Sequence, residues 1–506
     1  MAWGSSGAKR PSRRSPSHSS NKEYGAITVS APPAIRLYNT ATRMVEPFTP
    51  LAPGKVGEYD CGPTVYDWQH IGNLYRYIVS DVVRRTFEYL GYAVTQVMNI
   101  TDVGHIAGDV DEGEDRMMIA AKREGRDPDT LARKYTEQFM IDRHKLNILD
   151  PHVMPRATEH IRLMIALIQK LIDGGHAYVA ADGVYFDITT FPGYGTRLNA
   201  EPPHEREAGA RVEVNENKRN PHDFALWRAA KPGDLQKWPS PWGEGNPGWH
   251  IECSAMSMHY LGETFDIHSG GEDHVFPHHE CEIAQSEAAT GKPFARYWQH
   301  VRFLKVDGGA MHKSVGNVYL VSDLESWGFD PLAFRMLVLN NSYRKGLDFT
   351  RDGLRSAQNR LDSWRGVIAD AWQATGGATD APALDDAIRM EFVAAMTDDF
   401  NTPRALAQAE KALGLASTGD VAAKRRALGL LFDMDRILGL SLQDRAARAT
   451  ELPADARALM DEREAARKRK DWKRSDELRD ELLRRFGIRV KDTKDGPRWE
   501  REDKGA

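Results

Sequence analysis

The stretch from Val56 to Ile100 constrains this chain more than any other. Val56-Gly57-Glu58-Tyr59-Asp60-Cys61 looks like a strand, and the Gly62-Pro63 turn follows it. An apolar-periodic helix then runs roughly from Leu74 to Leu90, and Val94 to Ile100 is a second β-rich run. Strand, polar loop, helix and strand in that order suggest a nucleotide-binding βαβ unit. A chain of 506 residues exceeds what one ordinary hydrophobic core supports, so three or more packed units are expected. With 41% hydrophobic and 28% charged residues the composition is that of a soluble globular protein. No run of ~18 apolar residues occurs, and no transmembrane span is expected. The net charge of −5 excludes a uniformly basic nucleic-acid-coating protein and leaves room for a local basic patch.

Residues 1–26 are rich in Ser and basic residues and read as a disordered tail. An Arg/Ser-rich, acid-poor start also resembles a transit peptide, but it lacks an amphipathic apolar face, and no apolar run supports secretion. Residues 115–147 and 155–173 each read as helix. The second carries Ile161, Met164, Ile165, Ile168, Leu171 and Ile172 at helical spacing, which is core. Residues 176–225 mix short strands with Gly/Pro turns and look like an insertion; an α/β block resumes from about 226 to 305. Helical patterns dominate after Pro331, through the polar Ala374–Pro382 linker to about Leu440. A charged helix from Ala456 to about Arg485 precedes a short β-prone, basic segment ending at Trp499.

Four groups of residues carry chemistry. The first, Pro63 to Asn73, joins the early strand to its helix. A helix N-terminus offers unpaired N–H groups to phosphate. Gly72 permits close approach of backbone to a ring or phosphate, and His70 and Asn73 could face one ligand. An ordinary βα turn with a buried histidine is the other reading. The second group is metal-like. His278 and Glu282 fall i,i+4 on a helix begun near Pro277, with Cys281 beside them. Cys61 and Cys253 could join them, so that thiolate, imidazole and carboxylate converge as zinc ligands from three segments. Two buried cysteines and a surface His/Glu helix remain the alternative. Three cysteines, at 61, 253 and 281, cannot form a disulfide scaffold and fit a reducing compartment.

The third group is the Gly-rich run Val306 to Asn317, where Lys313 and Ser314 could clamp nucleotide phosphates; a plain surface loop competes, and no Walker pattern is present. The fourth is terminal. Arg467-Lys468-Arg469-Lys470 with Trp472, then Arg485, Arg489, Lys491, Lys494, Arg498 and Trp499, interleaves cations with aromatics, as in contacts to looped or single-stranded RNA. Asp461, Glu462 and Glu464 make a solvated charged helix a fair competitor.

Taken together these residues resemble the cysteinyl-tRNA synthetase family of class I aminoacyl-tRNA synthetases, over about residues 35–501. CGPTVYDWQHIGN (61–73) resembles the family's opening signature, with HIGN in place of the class-wide HIGH. MNITDVGHIAGDVDEGEDRM (98–117), GARVEVNENKRNPHDFALWRAAKPGD (209–234), PGWHIECSAMS (247–257), FDIHSGGEDHVFPHHECEIAQSE (265–287), DDFNTPRAL (398–406) and DGPRW (495–499) are each family-like. The resemblance implies an α/β fold. A Rossmann-type parallel-sheet catalytic domain (27–150 and 226–300) is interrupted by a connective insertion (151–225). A mobile-loop, stem-contacting segment (301–350), an α-helical domain (351–445) and a small C-terminal anticodon-binding domain (446–506) follow.

The resemblance also implies the site. One zinc ion would be held by Cys61, Cys253, His278 and Glu282, with Thr101 and Trp249 shaping the amino-acid pocket. His70, Gly72, Asn73, Asp273, Lys313 and Ser314 would bind ATP, used with Mg²⁺. His70, Asn73 and Lys313 would be catalytic, and Arg498 and Trp499 would contact tRNA. The partners implied are L-cysteine, ATP and tRNA(Cys), for a cytoplasmic monomer with no membrane contact. Cys281 could substitute as a ligand; Glu282 follows the family pattern. One departure stands out: where the family loop reads KMSKS, this chain has Ala310-Met311-His312-Lys313-Ser314. Two other readings compete, a ligase joining activated cysteine to an amino-sugar inositol and a non-catalytic tRNA-binding paralog. The C-terminal segment 456–506 argues against the first, and retention of His70, Lys313 and the ligand set against the second.

Overall fold

A computed structural model describes residues 34–103, 115–199, 215–311, 315–493 and 496–501; the tail expected over 1–26 lies outside them. A hairpin, β1 (Arg36–Asn39) with β2 (Met44–Pro47), leads into β3 (Lys55–Asp60), α1 (Ile71–Tyr89) and β4 (Ala93–Met98). The βαβ unit of the sequence is therefore present, with β3 and β4 paired in parallel. Its helix begins at Ile71 rather than Leu74, because His70 caps it.

The segment 115–147 forms two helices, α2 (Arg116–Glu124) and α3 (Pro128–Lys145). Gly125 ends the first in a left-handed conformation at φ 63°, and Asp127 caps the second with Pro128 in its first turn. The next helix, α4, covers Ile161–Asp173. Residues before it are drawn into a bridge, Ile100 to Arg156, and a 3₁₀ turn at Ala157–Glu159.

Next, β5 (Ala177–Ala180), β6 (Gly183–Phe186), β7 (Phe224–Ala229) and β8 (Gly245–Pro247) make an antiparallel sheet in sequential order. The chain returns to the parallel sheet through α5 (Trp249–Leu261), β9 (Phe265–Gly271), α6 (Glu280–Thr290) and β10 (Ala295–Val301). The parallel order is β10-β9-β3-β4. From β3 the chain crosses first to β4 and later to β9 on the other side, which makes the β3/β9 boundary the topological switch point, where such sheets bind ligands at their carboxyl ends.

Each face of the parallel sheet is covered. One core gathers Tyr59, Val97, Ile251, Met256, Phe265 and Phe294 with α4 to α6 and the antiparallel sheet. The other joins α1 to the helices from Pro331 onward, including Arg351–Ala374, Thr402–Thr418 and Val421–Leu438. Helix α1 is thus enclosed on nearly all sides, and its buried charges are paired. Asp81 meets Arg85 at 2.7 Å and the fully buried Arg335 at 2.6 Å. Arg335 also donates to the carbonyls of Leu438, Leu146 and Asn147. Leaving one partner of such a buried pair alone costs about 3–5 kcal/mol, so these bonds pin the helical region to α1.

The charged C-terminal helix is also two, Ala454–Lys468 and Trp472–Phe486, reversed at Lys470 (φ 62°) and restarted by the Asp471 cap. They pack with the hairpin Ile488–Thr493/Gly496–Arg501 around Ala456, Met460, Leu482, Ile488 and Val490.

Candidate active site

The site is assembled where β3 ends. Gly62 accepts no side chain, since a Cβ there would lie 1.4 Å from the Asn99 carbonyl oxygen. Its N–H donates to Asn99 Oδ1 at 2.7 Å, and Val65 N–H donates to Thr101 O at 3.1 Å, tying the loop to the end of β4. At the start of α1, His70 Nδ1 accepts from Asn73 N–H (3.3 Å) while Asn73 Oδ1 accepts from His70 N–H (3.2 Å). This reciprocal cap commits Nδ1 as the acceptor and Nε2 as the remaining donor of a neutral ring. A Cβ at Gly72 would lie 2.2 Å from Met311 Cε, so the group that uses the glycine's openness here is the methionine of the 306–317 loop.

Beside this helix start, Cys61, Cys253, His278 and Glu282 converge, with one ligating atom of each within 4.8 Å of the others and all four buried. Cys61 is the residue after β3, Cys253 lies one turn into α5, and Glu282 lies in the first turn of α6. His278 precedes α6 in an irregular turn at Val275–His279. His278 Nε2 and Glu282 Oε1 are 2.9 Å apart, yet that oxygen makes no hydrogen bond among the described residues. Both atoms belong to the four-atom donor set. Two thiols, an imidazole and a carboxylate so arranged are the donor chemistry of a zinc site.

The electrostatics agree. Burial pushes the Cys61 thiol up, but hydrogen bonds from Cys253 and from His274 and His278, with the charge of His279, bring it well below the usual thiol range. Burial first, then Cys61 and the nearby carboxylates, push Cys253 well above it. Against burial, which acts downward, Glu282 and Cys61 raise His278 to about 10. A charged imidazole thus neutralises anionic donors where a dication would do so better.

A shell of histidines orients this set. His250 Nδ1 lies 2.9 Å from His278 Nδ1, His268 Nε2 lies 2.8 Å from Glu282 Oε2, and His279 Nε2 lies 3.3 Å from Cys61 Sγ. His279 continues through His300 to Thr40, each step 2.8 Å. Cys61, His268, His279 and Glu282 form a second, overlapping donor group. The ring nitrogens there already bond within the protein, whereas His278 Nε2 faces an oxygen without a hydrogen bond, so the first group fits an ion better. Sequence reading missed His250, His268, His279 and His300. Three of them, His250, His268 and His279, lie in the segments that carry the ligand candidates, and His300 lies outside them on β10; outer-shell partners of this kind matter to metal sites almost as much as the ligands.

The remaining candidates fall as follows. Trp249 begins α5 with its ring 4.1 Å from that of His278. Thr101 is buried, its hydroxyl accepting from Asn99 Nδ2 at 3.0 Å. Asp273 follows β9 at the same sheet end, with 59% of its side chain exposed. Cys281 belongs to neither donor group and meets the Tyr194 hydroxyl at 3.3 Å. Lys313 and Ser314, with His312, lie outside the described residues, as does the side chain of Arg498. Trp499 is half-buried against the C-terminal core, and its carbonyl accepts from Gln373 Nε2 at 2.9 Å. The exposed aromatic of that unit is Trp472, 56% exposed with Arg467 over its ring at 5.6 Å.

Solved structures share the architecture at low identity. Methionyl-tRNA synthetase of Mycobacterium tuberculosis, in complex with methionyl-adenylate, superposes with a TM-score of 0.51 at 15% identity, covering 78% of this chain and 91% of that one. LeuRS of Agrobacterium radiobacter K84, in a ternary complex with tRNA, gives 0.56 at 11%, covering 79% and 86%. The profile of the tRNA synthetases class I (C) catalytic domain matches residues 47–359, so fold and sequence define a class I aminoacyl-tRNA synthetase. The profile of the cysteinyl-tRNA ligase anticodon binding domain matches 449–499. Cysteine–tRNA ligases of Chlorobaculum tepidum (42% identity, 93% of this chain, 99% of that protein) and Thermus thermophilus (44%, 92% and 99%) align over nearly their whole length. The chain belongs to the cysteine–tRNA ligase family.

Proposed function

We propose that this chain joins L-cysteine to tRNA(Cys) in two steps. The cysteine carboxylate attacks the α-phosphorus of ATP, releasing pyrophosphate and leaving cysteinyl-adenylate. A hydroxyl of the tRNA 3′-terminal ribose then attacks the carbonyl, and AMP departs. The observation that carries this reading is the buried Cys61/Cys253/His278/Glu282 group beside the capped start of α1, at the switch point of a parallel sheet. Bound there, zinc would accept the substrate thiolate, a contact that serine's harder hydroxyl makes poorly, so selection needs no editing site.

The chain's own groups do the rest. Trp249, against His278, forms a wall of the amino-acid pocket, and Thr101 lies at its back. His70 offers Nε2–H to the phosphates, and Gly72 leaves room for the nucleotide once Met311 moves. Asn73 holds the His70 ring, and Asp273, exposed after β9, would take the ribose hydroxyls. Lys313 and Ser314 would close over the phosphates of ATP and its Mg²⁺, making catalysis electrostatic and positional. Trp472, with Arg467 and the neighbouring cations, supports RNA contact by the C-terminal unit, a role that the buried side of Trp499 suits less well. Arg498 would add a phosphate contact. The reading is of a monomer. Its three free, buried cysteines fit the reducing cytoplasm. Among the described residues no helix is long and apolar enough to cross a membrane.

Cysteine-dependent ATP–pyrophosphate exchange followed by charging of tRNA(Cys) tests the reading. Absence of exchange would defeat it, and exchange without charging would favour the amino-sugar ligase. The loop departure makes a second test. Ala310, whose carbonyl accepts from Asn317 Nδ2 at 2.9 Å, stands where the family carries a lysine. One cationic contact to a transition state is worth about 1–3 kcal/mol by analogy with single oxyanion donors. Ala310→Lys is therefore expected to raise the exchange rate about tenfold, and equal rates would show that the missing cation is not needed.

A further inference from the structure

We propose that the loop between β3 and α1 carries a seat for the unpaired 3′ end of the tRNA, with Trp68 as its stacking surface. The proposal rests on the tRNA-charging reading and names a contact that reading does not supply. Trp68 is 38% exposed although its loop is pinned. Val65 donates to Thr101, and Gln69 Nε2 donates to Thr64 O at 3.1 Å, so the ring is held at the surface rather than frayed out to it.

Its underside is built. Tyr135 of α3 meets the indole edge-on, with centroids 4.7 Å apart at 78°, and Lys134 Nζ lies 5.0 Å from the ring centroid. The same pattern repeats two residues earlier, where Arg116 donates to Tyr66 Oη at 2.7 Å and lies 5.3 Å from its ring. Between them Arg123, half-exposed, lies 3.5 Å from Asp67, and Glu124 holds Lys134 at 2.7 Å. Two aromatic rings on one loop are thus interleaved with three cations from α2 and α3. Base stacking on aromatics beside backbone-neutralising cations is how unpaired RNA is held.

Position selects the occupant. Trp68 stands two residues before His70, within about 7 Å along the chain. The terminal ribose must reach the adenylate beside His70, so the bases just behind it pass over this rim. A duplex stem cannot offer a free base face there, and the anticodon unit lies at the other end of the chain.

The test compares dissociation constants for full-length tRNA(Cys) and for a transcript lacking its unpaired 3′-terminal nucleotides. With the wild-type chain, truncation is expected to weaken binding about tenfold. Trp68→Leu should bind full-length tRNA about tenfold more weakly and lose little more on truncation, while Trp68→Phe keeps most of the affinity. Lys134→Gln, at a half-buried side chain of α3 paired with Glu124, gives the same comparison without altering the loop, with the truncated RNA the less sensitive. Truncation costing Trp68→Leu and Lys134→Gln as much as it costs the wild type would overturn the proposal. So would a rise in KM for ATP in Trp68→Leu with tRNA affinity unchanged, which would give the ring to the nucleotide instead. A wild-type chain that neither activates cysteine nor binds tRNA would remove the parent reading as well; the first two results leave that reading standing.

Discussion

Cysteine-dependent pyrophosphate exchange is expected to fall at least ~100-fold in Cys253→Ser, together with zinc content. Cys253 is buried on α5, one of four donors within 4.8 Å. Serine keeps the volume nearly unchanged but replaces a soft thiolate by a hydroxyl that stays protonated at neutral pH. Loss of a mere outer-shell partner typically costs 10–100-fold in metal affinity or activity, and loss of a ligand should cost more. Discrimination should fall with rate, because the metal is the group that would distinguish a thiol from a hydroxyl. Metal analysis and exchange with cysteine and with serine read the two effects separately, and circular dichroism reads the fold. A variant that keeps one zinc per chain and full exchange would remove Cys253 from the site.

Stability should fall as pH rises from about 4.5 to 8, through a residue that takes no part in the chemistry. Glu58 sits on β3 facing α1, fully buried, with Ser80 Oγ at 3.2 Å and Gln96 Nε2 at 3.2 Å. Burial first, and Asp60 next, raise its carboxyl from 4.5 to about 8, against the opposing pull of Arg84, Ser80 and Gln96. The folded chain therefore keeps a proton that the unfolded chain has already released. This stabilisation is complete below pH 4.5 and is lost as pH climbs through 8, at about 1.4 kcal/mol per pH unit, or roughly 3 kcal/mol by pH 7. Glu58→Gln holds the same shape and cannot ionise; its amide can donate to Ser80 and its oxygen accept from Gln96. Its urea midpoint should match the wild type near pH 5 and exceed it clearly at pH 8. Coincident midpoints at both values would show that Glu58 is already ionised in the fold.

The elements that were legible in the sequence are those with local causes. The βαβ unit followed from apolar periodicity and a Gly-Pro turn, and the ligand candidates from residue chemistry and the His278/Glu282 spacing. Helix breaks at Gly125-Arg126-Asp127-Pro128 and at Lys470-Asp471 are marked by turn and capping residues, but charged and apolar periodicity runs through both and masks them. The histidine shell was not readable. His268 and His300 lie on neighbouring strands of one sheet, and which imidazoles meet Cys61 or Glu282 depends on register and crossing, not on spacing along the chain.

Trp499 illustrates the same limit. An aromatic flanked by cations looks alike in sequence whether it faces solvent or a small core, and only the packing of the C-terminal hairpin separates Trp499 from Trp472. By itself the sequence determined the fold class and put forward four donor candidates drawn from three segments. The tertiary structure alone decided that those side chains meet, which imidazoles lie against them, that Met311 covers Gly72, and which tryptophans stay exposed. Local preference is written in neighbours along the chain, whereas a site is written in distances between segments as remote in sequence as Cys61 and Glu282, and only burial of the intervening core brings those together.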